Sequence, residues 1–220
     1  MQFLFGDREL LISISDLLEA PVKVIVNSTN RELSHTRGLS ATILAAAGEE
    51  LQTQSTRLIH EYGHIDSGMA VYTTAGDLPY DAIIHAVGPQ MGEGEEQRKI
   101  TQAVSRSLLL CEANEWTSIA FPAIGCGSGD IPIETCAQAF HRAITHFWDA
   151  RNDSVVEKIN LCLTEQHFQP FFDAFREDAI TEAEEPIQTA PPDEDVTGEV
   201  ELSDADIADL ENDDMADWFK

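Results

Sequence analysis

Short apolar runs alternate along this chain with longer stretches in which apolar residues recur every three or four positions. The runs Leu10 to Ile14, Val22 to Val26, Met69 to Thr73, Ala82 to Ala86, Ser118 to Phe121 and Lys158 to Leu163 are rich in Val, Ile or Ala. Turn-forming residues bound them, which predicts strands covered on both faces. Helices are expected between these runs: Ser40 to Tyr62 with a break near Gly48, Glu95 to Asn114, Pro132 to Ala150, and Glu165 to about Ala179. Pro132 suits the first turn of its helix, where the missing N–H costs no hydrogen bond. Alternating strand and helix define an α/β fold in which helices cover one sheet from both sides. No internal repeat is present.

The pattern lapses after Ala179. From Arg176 to Lys220 there are 17 acidic and 2 basic residues, net −15, which leaves −12 of the total −27 for the rest of the chain. Pro186, Pro191 and Pro192 interrupt this segment, and its apolar residues are sparse before Ile207. Too little surface can be buried there to offset the entropy of ordering. The expected division is a globular domain over 1–179 and an acidic, mostly disordered tail over 180–220. A helix over Ser203 to Phe219 is an option within that tail, with Ile207, Leu210, Met215 and Trp218 at near-helical spacing. Acids interleaved with apolar residues suit docking in a partner's groove rimmed by basic side chains; they suit a solvated solubility segment equally well.

Charge narrows the partners. An acidic chain repels nucleic-acid phosphates and anionic membranes, and no run of Lys or Arg offers a local exception, which argues against DNA, RNA and lipid. The opening MQFLFGDREL carries too short an apolar run for a signal peptide, and no stretch approaches the roughly 20 apolar residues of a membrane span. A cytoplasmic protein is expected. Cys111, Cys126, Cys136 and Cys162 show neither metal-ligand pairing nor a disulfide framework, so reduced thiols are expected, with no metal and no cofactor. His60, His64, His141, His146 and His167 likewise lack a metal-ligand spacing.

Three strand-to-helix junctions carry candidate chemistry. Val22 to Val26 runs into Asn27-Ser28-Thr29-Asn30, small polar residues that can face a ligand at the carboxyl edge of the sheet, or simply form a cap or Asx-turn. His35-Thr36-Arg37-Gly38-Leu39-Ser40 opens the next helix. The third junction is the most specific. Ile119 to Ile124 feeds Gly125-Cys126-Gly127-Ser128-Gly129-Asp130-Ile131-Pro132, three glycines in five residues between a strand and a helix. Backbone N–H groups can approach an anion closely in such a loop, and a helix amino end adds about half a positive charge. A chain with so few cations would have to hold phosphate by dipoles of this kind, unless the loop is only a tight turn. No Gly-Lys-Ser/Thr follows, so it is not a Walker loop, and it does not sit on the first strand as a dinucleotide fingerprint would.

VIVNSTN, HTRGLSATILAAAG, AIIHAVGP and FPAIGCGSGDIP occur in this order along the chain. They resemble the ordered motifs of macrodomains, whose usual forms are similar to AIVNAAN, HGGGVAxAIxxAAG, HxVGP and FPAIxxGxxGxP. The resemblance extends from about Leu10 to about Phe175. It implies a three-layer α/β/α sandwich with a mixed, mostly parallel sheet, and ADP-ribose, free or attached to protein, as the ligand. By position, Asp16 resembles the acid that accepts a hydrogen bond from the adenine amino group, with the Leu17 amide beside it. Asn30 resembles the last Asn of the strand motif, which binds the distal ribose and is the candidate catalytic residue. Gly38, Leu39 and Ser40 on one side and Gly125, Cys126, Gly127, Ser128, Gly129, Asp130 and Ile131 on the other would clamp the diphosphate. His35 and His85 lie within motifs and are expected to orient loops.

Departures from the family pattern shape the expected activity. Thr36 and Arg37 stand where a glycine run is usual, so Arg37 either adds a charge-assisted phosphate contact or occludes the distal ribose. Ser40 occupies the place of an acid in some hydrolytic members, and the lysine of another hydrolase branch has no counterpart, although GCG is similar to that branch's loop. Leu163, or Phe168, takes the place of the aromatic that covers adenine. The resemblance therefore implies ADP-ribose binding with hydrolysis of ADP-ribosyl esters on acidic side chains or of related ADP-ribose derivatives. A non-catalytic reader and a recruitment module acting through the acidic tail are the alternatives. A chain truncated near Arg176 to Asp178 is expected to keep its melting temperature within a few degrees and its ADP-ribose affinity within about tenfold, because the removed segment contributes little core and its charge is screened beyond about 8 Å. Calorimetry of the full and shortened chains checks both.

Overall fold

The computed structural model describes residues 1–181. The tail beyond them, with the option of a helix over Ser203 to Phe219, lies outside the described residues. Strand β1 (Gln2–Phe5) turns at Gly6, whose φ is +61°, into β2 (Arg8–Ile14), and the two pair antiparallel with Phe3 opposite Leu10. β1 was not anticipated from the sequence: QFLF is only four residues long, and its signal is the Gly6-Asp7 turn that follows. The chain continues through a short 3-10 helix (Leu17–Glu19), β3 (Val24–Thr29), α1 (Gly38–Ala47), α2 (Glu49–Tyr62), β4 (Ala70–Thr73) and β5 (Ala82–Val87). It ends with α3 (Glu96–Ala113), β6 (Ser118–Phe121), α4 (Ile133–Ala150), β7 (Lys158–Leu163) and α5 (Glu165–Thr181).

One sheet holds the seven strands in the order β1-β2-β7-β6-β3-β5-β4. The five strands from β2 to β5 in that order run parallel, while β1 and β4 close the two edges antiparallel. The α/β/α sandwich with a mixed, mostly parallel sheet is thus observed. Successive residues of a strand serve opposite layers. On β6, Ala120 joins Ile25, Ile83, Ile43, Ala47 and Leu51 in the core beneath α1 and α2. Its neighbour Phe121 meets Phe140 of α4 edge-on, and Phe140 meets Phe171 of α5 in the same manner.

Two boundaries differ from expectation and matter for the site. β3 does not stop at Val26; it runs to Thr29, pairing with β5 throughout, so that Asn27 lies opposite His85 inside the sheet. A polar residue can continue a strand when its side chain finds partners, and Asn27 does. Pro132 is the residue before α4 rather than part of its first turn. From β3 the chain crosses to β5 on one side, whereas from β6 it crosses to β7 on the other. β3 and β6 are adjacent and parallel, so the direction of winding reverses between them, and their carboxyl ends are where the binding crevice of an open α/β sheet is expected.

The expected break between α1 and α2 is present at Gly48, with φ +83°. It is held by Asp77, whose N–H donates to the Ala47 carbonyl at 2.9 Å. That approach requires glycine at position 76: a Cβ there would lie 1.9 Å from the same carbonyl oxygen, on a backbone with φ +58°. Gly76→Ala should cost about 3 to 5 kcal/mol, combining left-handed strain with a backbone clash. Gly63→Ala, at φ +80° but facing open space, should cost only about 1 to 2 kcal/mol. Urea unfolding of the two variants checks the difference.

Candidate functional site

Beneath the crevice lies a buried polar network centred on Asn27, which is fully inaccessible to solvent. Its amide nitrogen Nδ2 faces Nδ1 of His85 at 3.2 Å and Nδ1 of His35 at 3.4 Å, while its Oδ1 accepts the Ser40 hydroxyl at 2.8 Å. An amide nitrogen only donates, so both Nδ1 atoms must accept, and both imidazoles carry their proton on Nε2. Each Nε2 has a hydroxyl partner at 2.9 Å, Ser55 for His35 and Thr73 for His85. The Thr73 hydroxyl in turn donates a hydrogen bond to the Thr74 carbonyl at 3.1 Å. Burial pushes the His85 pKa down to about 3, assisted by the neighbouring His35, and burial also lowers that of His35. Both rings are therefore neutral near pH 7, as the bonding pattern requires.

The network fixes the segment between β3 and α1. Asn30, at the rim, folds back on this segment: Oδ1 accepts the Ser34 N–H at 2.9 Å and Nδ2 donates to the Ser34 hydroxyl at 2.7 Å. Leu33 anchors the loop in the core with φ +47°, and His35 is buried behind it. Thr36, Arg37 and Gly38 are exposed, and Gly38 begins α1 with φ +58° and open space where a side chain would stand. Arg37 has no ion-pair partner among the described residues. Leu39 packs partly against the core beneath α1, and Ser40 turns inward to Asn27 and the Ser28 carbonyl. The start of α1 therefore presents no carboxylate to the crevice; its Ser40 hydroxyl is spent on the network.

The facing wall is the loop from Gly125 to Ile131. Gly125 sits at φ +89°, where a Cβ would lie 2.9 Å from Ile100 and 3.5 Å from the Cys136 sulfur. Gly129 is pinned more tightly, since a Cβ there would lie 2.6 Å from the Pro89 carbonyl and 2.7 Å from that of Gly125. The loop is closed by Asp130 N–H to Gly127 and Ile131 N–H to Gly125, both at 3.1 Å, and the segment after β5 clips onto it through Met91 N–H to Gly129 at 2.8 Å. Asp130 is exposed at φ +55°, while Ile131 is buried. Between the pinned glycines, Gly127 and Ser128 are exposed and Cys126 is half-buried. Among the described residues, the amides of Cys126, Gly127 and Ser128 have no hydrogen-bond acceptor. N–H groups without an acceptor, beside the start of α4, are an arrangement suited to an anion.

Asp16 and Leu17 stand at the end of β2, at the same edge of the sheet. The Asp16 carboxylate is exposed and caps the 3-10 helix by accepting the Leu18 N–H at 2.9 Å, while the Leu17 side chain is buried in the core. Leu163 is buried at the end of β7, opposite Ile14, and Phe168 stacks on Phe172 one turn into α5. Of the residues singled out from sequence, Asn30, Gly38 and the Gly125 to Ile131 loop thus belong to segments at the carboxyl ends of the adjacent strands β3 and β6. Asn27 does not face a ligand, because the continuing strand turns it into the interior. Ser34, Ser55, Thr73 and the Pro89 to Met91 segment were missed. Ser55 and Thr73 carry no sequence signal, being single hydroxyls in otherwise ordinary elements.

A family model described as the Macro domain matches residues 26–140, and the chain belongs to that family. It is 38% identical over 138 residues to a Klebsiella pneumoniae protein named O-acetyl-ADP-ribose deacetylase, covering 62% of this chain and 79% of that protein. It is 34% identical over 188 residues to the human protein mono-ADP-ribosyltransferase PARP14, which covers 83% of this chain but only 10% of the human protein. The match to an uncharacterized Thermotoga maritima protein covers 28% of that protein. In fold the chain is similar to the Oceanobacillus iheyensis macrodomain solved with ADP, with a TM-score of 0.76 at 24% identity over 82% of this chain and 97% of that one. Among the described residues there is no metal-binding cluster, and no helix is long and apolar enough to cross a membrane.

The neutral histidines carry a pH signature. Both folded pKa values lie below the unfolded value of about 6.5, so each contribution is intact above that pH and is lost as pH falls, for His85 toward about 3. Over that window the unfolded chain takes up protons that the folded network refuses. His85 should cost about 1.4 kcal/mol between about pH 7.5 and pH 5.5, and His35 adds to the loss in the same direction. Urea unfolding at the two pH values measures the sum, and His85→Gln should flatten the slope while lowering stability at the higher pH. An unchanged slope in that variant would remove His85 as its source.

Proposed function

We propose that the crevice binds ADP-ribose and hydrolyses ADP-ribosyl esters, either on aspartate and glutamate side chains or in small O-acyl derivatives of ADP-ribose. The observation that carries this reading is the row of unpaired amides at Cys126, Gly127 and Ser128, held open by Gly125 and Gly129 in a protein of net charge −27. Those amides offer a diphosphate a cationic surface without a cationic side chain. In support, a relative of this chain is named for O-acetyl-ADP-ribose deacetylation, and structures of similar fold are described as bound to ADP or ADP-ribose.

The linkage follows from acid–base chemistry. A carboxylate leaving group, with a pKa of about 4, departs without a proton, whereas a serine alkoxide needs a positioned acid. The start of α1 supplies no such acid, since Ser40 stands there and is bound inward. Positioning suffices for the easier reaction: Asn30 fixes the distal ribose, loop amides hold the diphosphate, and a ligand phosphate oxygen orients water beside the anomeric carbon. Asp16, with its free carboxylate oxygen, accepts from the adenine amino group, and Asp16→Ala should lose about 1 to 3 kcal/mol of affinity. One observation favours the alternative, a reader without turnover: both polar atoms of the Asn30 carboxamide are already engaged by Ser34.

Gly127→Glu is the clean test of the anion site. Position 127 is not left-handed and a Cβ there meets nothing within 4 Å, so the variant should fold while its carboxylate fills the phosphate concavity and abolishes ADP-ribose binding. Binding equal to the parent in a calorimetric titration would remove the loop from the site. Catalysis is decided by following ADP-ribose release from aspartate- or glutamate-modified protein beside a serine-modified one. Release from the ester alone is expected, with Asn30→Ala lowering turnover more than binding. No release from either, with binding intact, establishes the reader; efficient release from the serine linkage would place an acid in the crevice, with Asp130 the first to replace.

A further inference from the structure

The segment 88–95, between β5 and α3, buttresses the anion loop from outside. The Pro89 carbonyl occupies the space a side chain at Gly129 would need, and the Met91 N–H donates to the Gly129 carbonyl at 2.8 Å. Beyond the buried Pro89, residues 90–95 are all exposed, so polar contacts rather than burial must fix their course. One carboxylate gathers those contacts. Glu93 Oε2 accepts the Gln90 N–H and the Ser67 hydroxyl, both at 3.1 Å, and Oε1 accepts the Lys99 ammonium at 3.0 Å. The Gln90 bond closes the segment on itself; the other two reach outside it, to the connection 63–69 between α2 and β4 and to the first turn of α3. That connection is itself held on both sides, by Gly68 N–H to the Val87 carbonyl of β5 at 2.8 Å and by Ile65 N–H to the Arg31 carbonyl at 2.9 Å.

We propose that Glu93 is a positioning residue for the anion loop: its carboxylate anchors the segment that presses on Gly129, and so keeps the amides of residues 126 to 128 in the path that holds a diphosphate. The diphosphate part rests on the ADP-ribose reading of the loop; the anchoring does not. Exposed ion pairs commonly contribute little. The Glu93 and Lys99 side chains, however, are only 34% and 18% exposed, against 75% and 49% for the Asp66 and Arg31 pair, and three donors share the Glu93 carboxylate. Burial alone pushes the Glu93 pKa up; the bonds from Gln90, Lys99 and Ser67 outweigh it, holding the carboxylate below its ordinary range and charged at neutral pH. A charged acceptor makes each of these bonds stronger than a neutral one.

Removing the carboxylate separates attachment from shape. Glu96, at the start of α3, accepts the Gly92 and Gly94 N–H groups at 2.9 and 3.0 Å, so the turn keeps its own bonds when Glu93 is replaced. What is lost is the tie to Ser67 and Lys99. The segment then no longer presses on Gly129 from a fixed position, and the loop visits paths in which its amides diverge. Only the fraction of chains in the original path binds at full strength. The diphosphate is gripped alike before and during reaction, so the loss falls on binding rather than on the chemical step. Asn30, which fixes the distal ribose, is expected to show the opposite pattern.

The test uses the full chain. Calorimetry should show Glu93→Ala binding ADP-ribose about tenfold more weakly than the parent, as when about a tenth of the chains keep a competent loop. Ser67→Ala, which removes one donor from an exposed contact, should bind about two- to threefold more weakly, with Glu93→Gln between the two. With an ADP-ribosyl ester as substrate, KM should rise by the same factors while kcat stays near that of the parent. A reading without ligand comes from hydrogen exchange: the Met91 amide should exchange about tenfold faster in Glu93→Ala, and the Gly127 and Gly129 amide resonances should shift, while the amides of β3 and β5 keep their protection. Parental affinity in Glu93→Ala, or parental exchange at Met91, would overturn the proposal. Equal loss of protection across β3 and β5 in both Glu93→Ala and Ser67→Ala would overturn it too, since the contact would then serve the whole fold. If the parent fails to bind ADP-ribose, the functional reading falls, while Met91 exchange and the glycine resonances still decide whether Glu93 positions the loop.

Discussion

A single buried carboxamide organises this protein's working edge. Asn27 follows Val24, Ile25 and Val26 in β3 and is as fully buried as they are, so an unsatisfied amide there would cost several kcal/mol. Satisfying it requires three other residues at fixed places: His85 on the adjacent strand, His35 in the loop that follows, and Ser40 in the first turn of α1. Each of these is held in turn, His35 by Ser55 of α2 and His85 by Thr73 of β4. A requirement local to one side chain is thereby converted into the relative placement of three strands, two helices and a loop. Every donor in it has one acceptor only while both imidazoles are neutral, and the low dielectric that makes the bonds strong also enforces that neutrality.

The two walls of the crevice follow different rules. The wall after β3 is set by side chains, through Asn27, Leu33, Asn30 and Ser34. The wall after β6 is set by the absence of side chains at Gly125 and Gly129, which allows the segment after β5 to press on the loop through Pro89 and Met91. In an acidic protein the second arrangement has an electrostatic use. Lysines around the crevice would be drawn into pairs with the surrounding carboxylates, whereas peptide dipoles cannot be neutralised in that way and remain available to an anion.

Much of this was legible in the sequence, for reasons that differ by element. Strands β2, β4, β5, β6 and β7 and the helices announce themselves by apolar period, and Gly48 announces the break in its helix. β1 escaped because four residues are too few to show a period. β3 was cut short because Asn27, Ser28 and Thr29 have the composition of a turn; only the tertiary partners of Asn27 make them strand. The ordered motifs brought the anion loop and Asn30 to one region, and the switch of winding between β3 and β6 accounts for that in physical terms. Sequence could not show that Ser40 points away from the crevice or that Asn30 is tied to Ser34. Those orientations depend on which hydroxyl finds which acceptor, and many residues of each kind are available.

Gly125 and Gly129 have a wider consequence. A binding surface made from peptide groups is specified by backbone shape, so the identities of the residues that display those groups are left free. Cys126 and Ser128 contribute N–H bonds that almost any amino acid would contribute, provided the two glycines keep the chain in its path. Chemistry can then diverge at the opposite wall, one side chain at a time, while the display of peptide groups is inherited intact. A fold of this design separates the part of recognition that must be preserved from the part that is open to change.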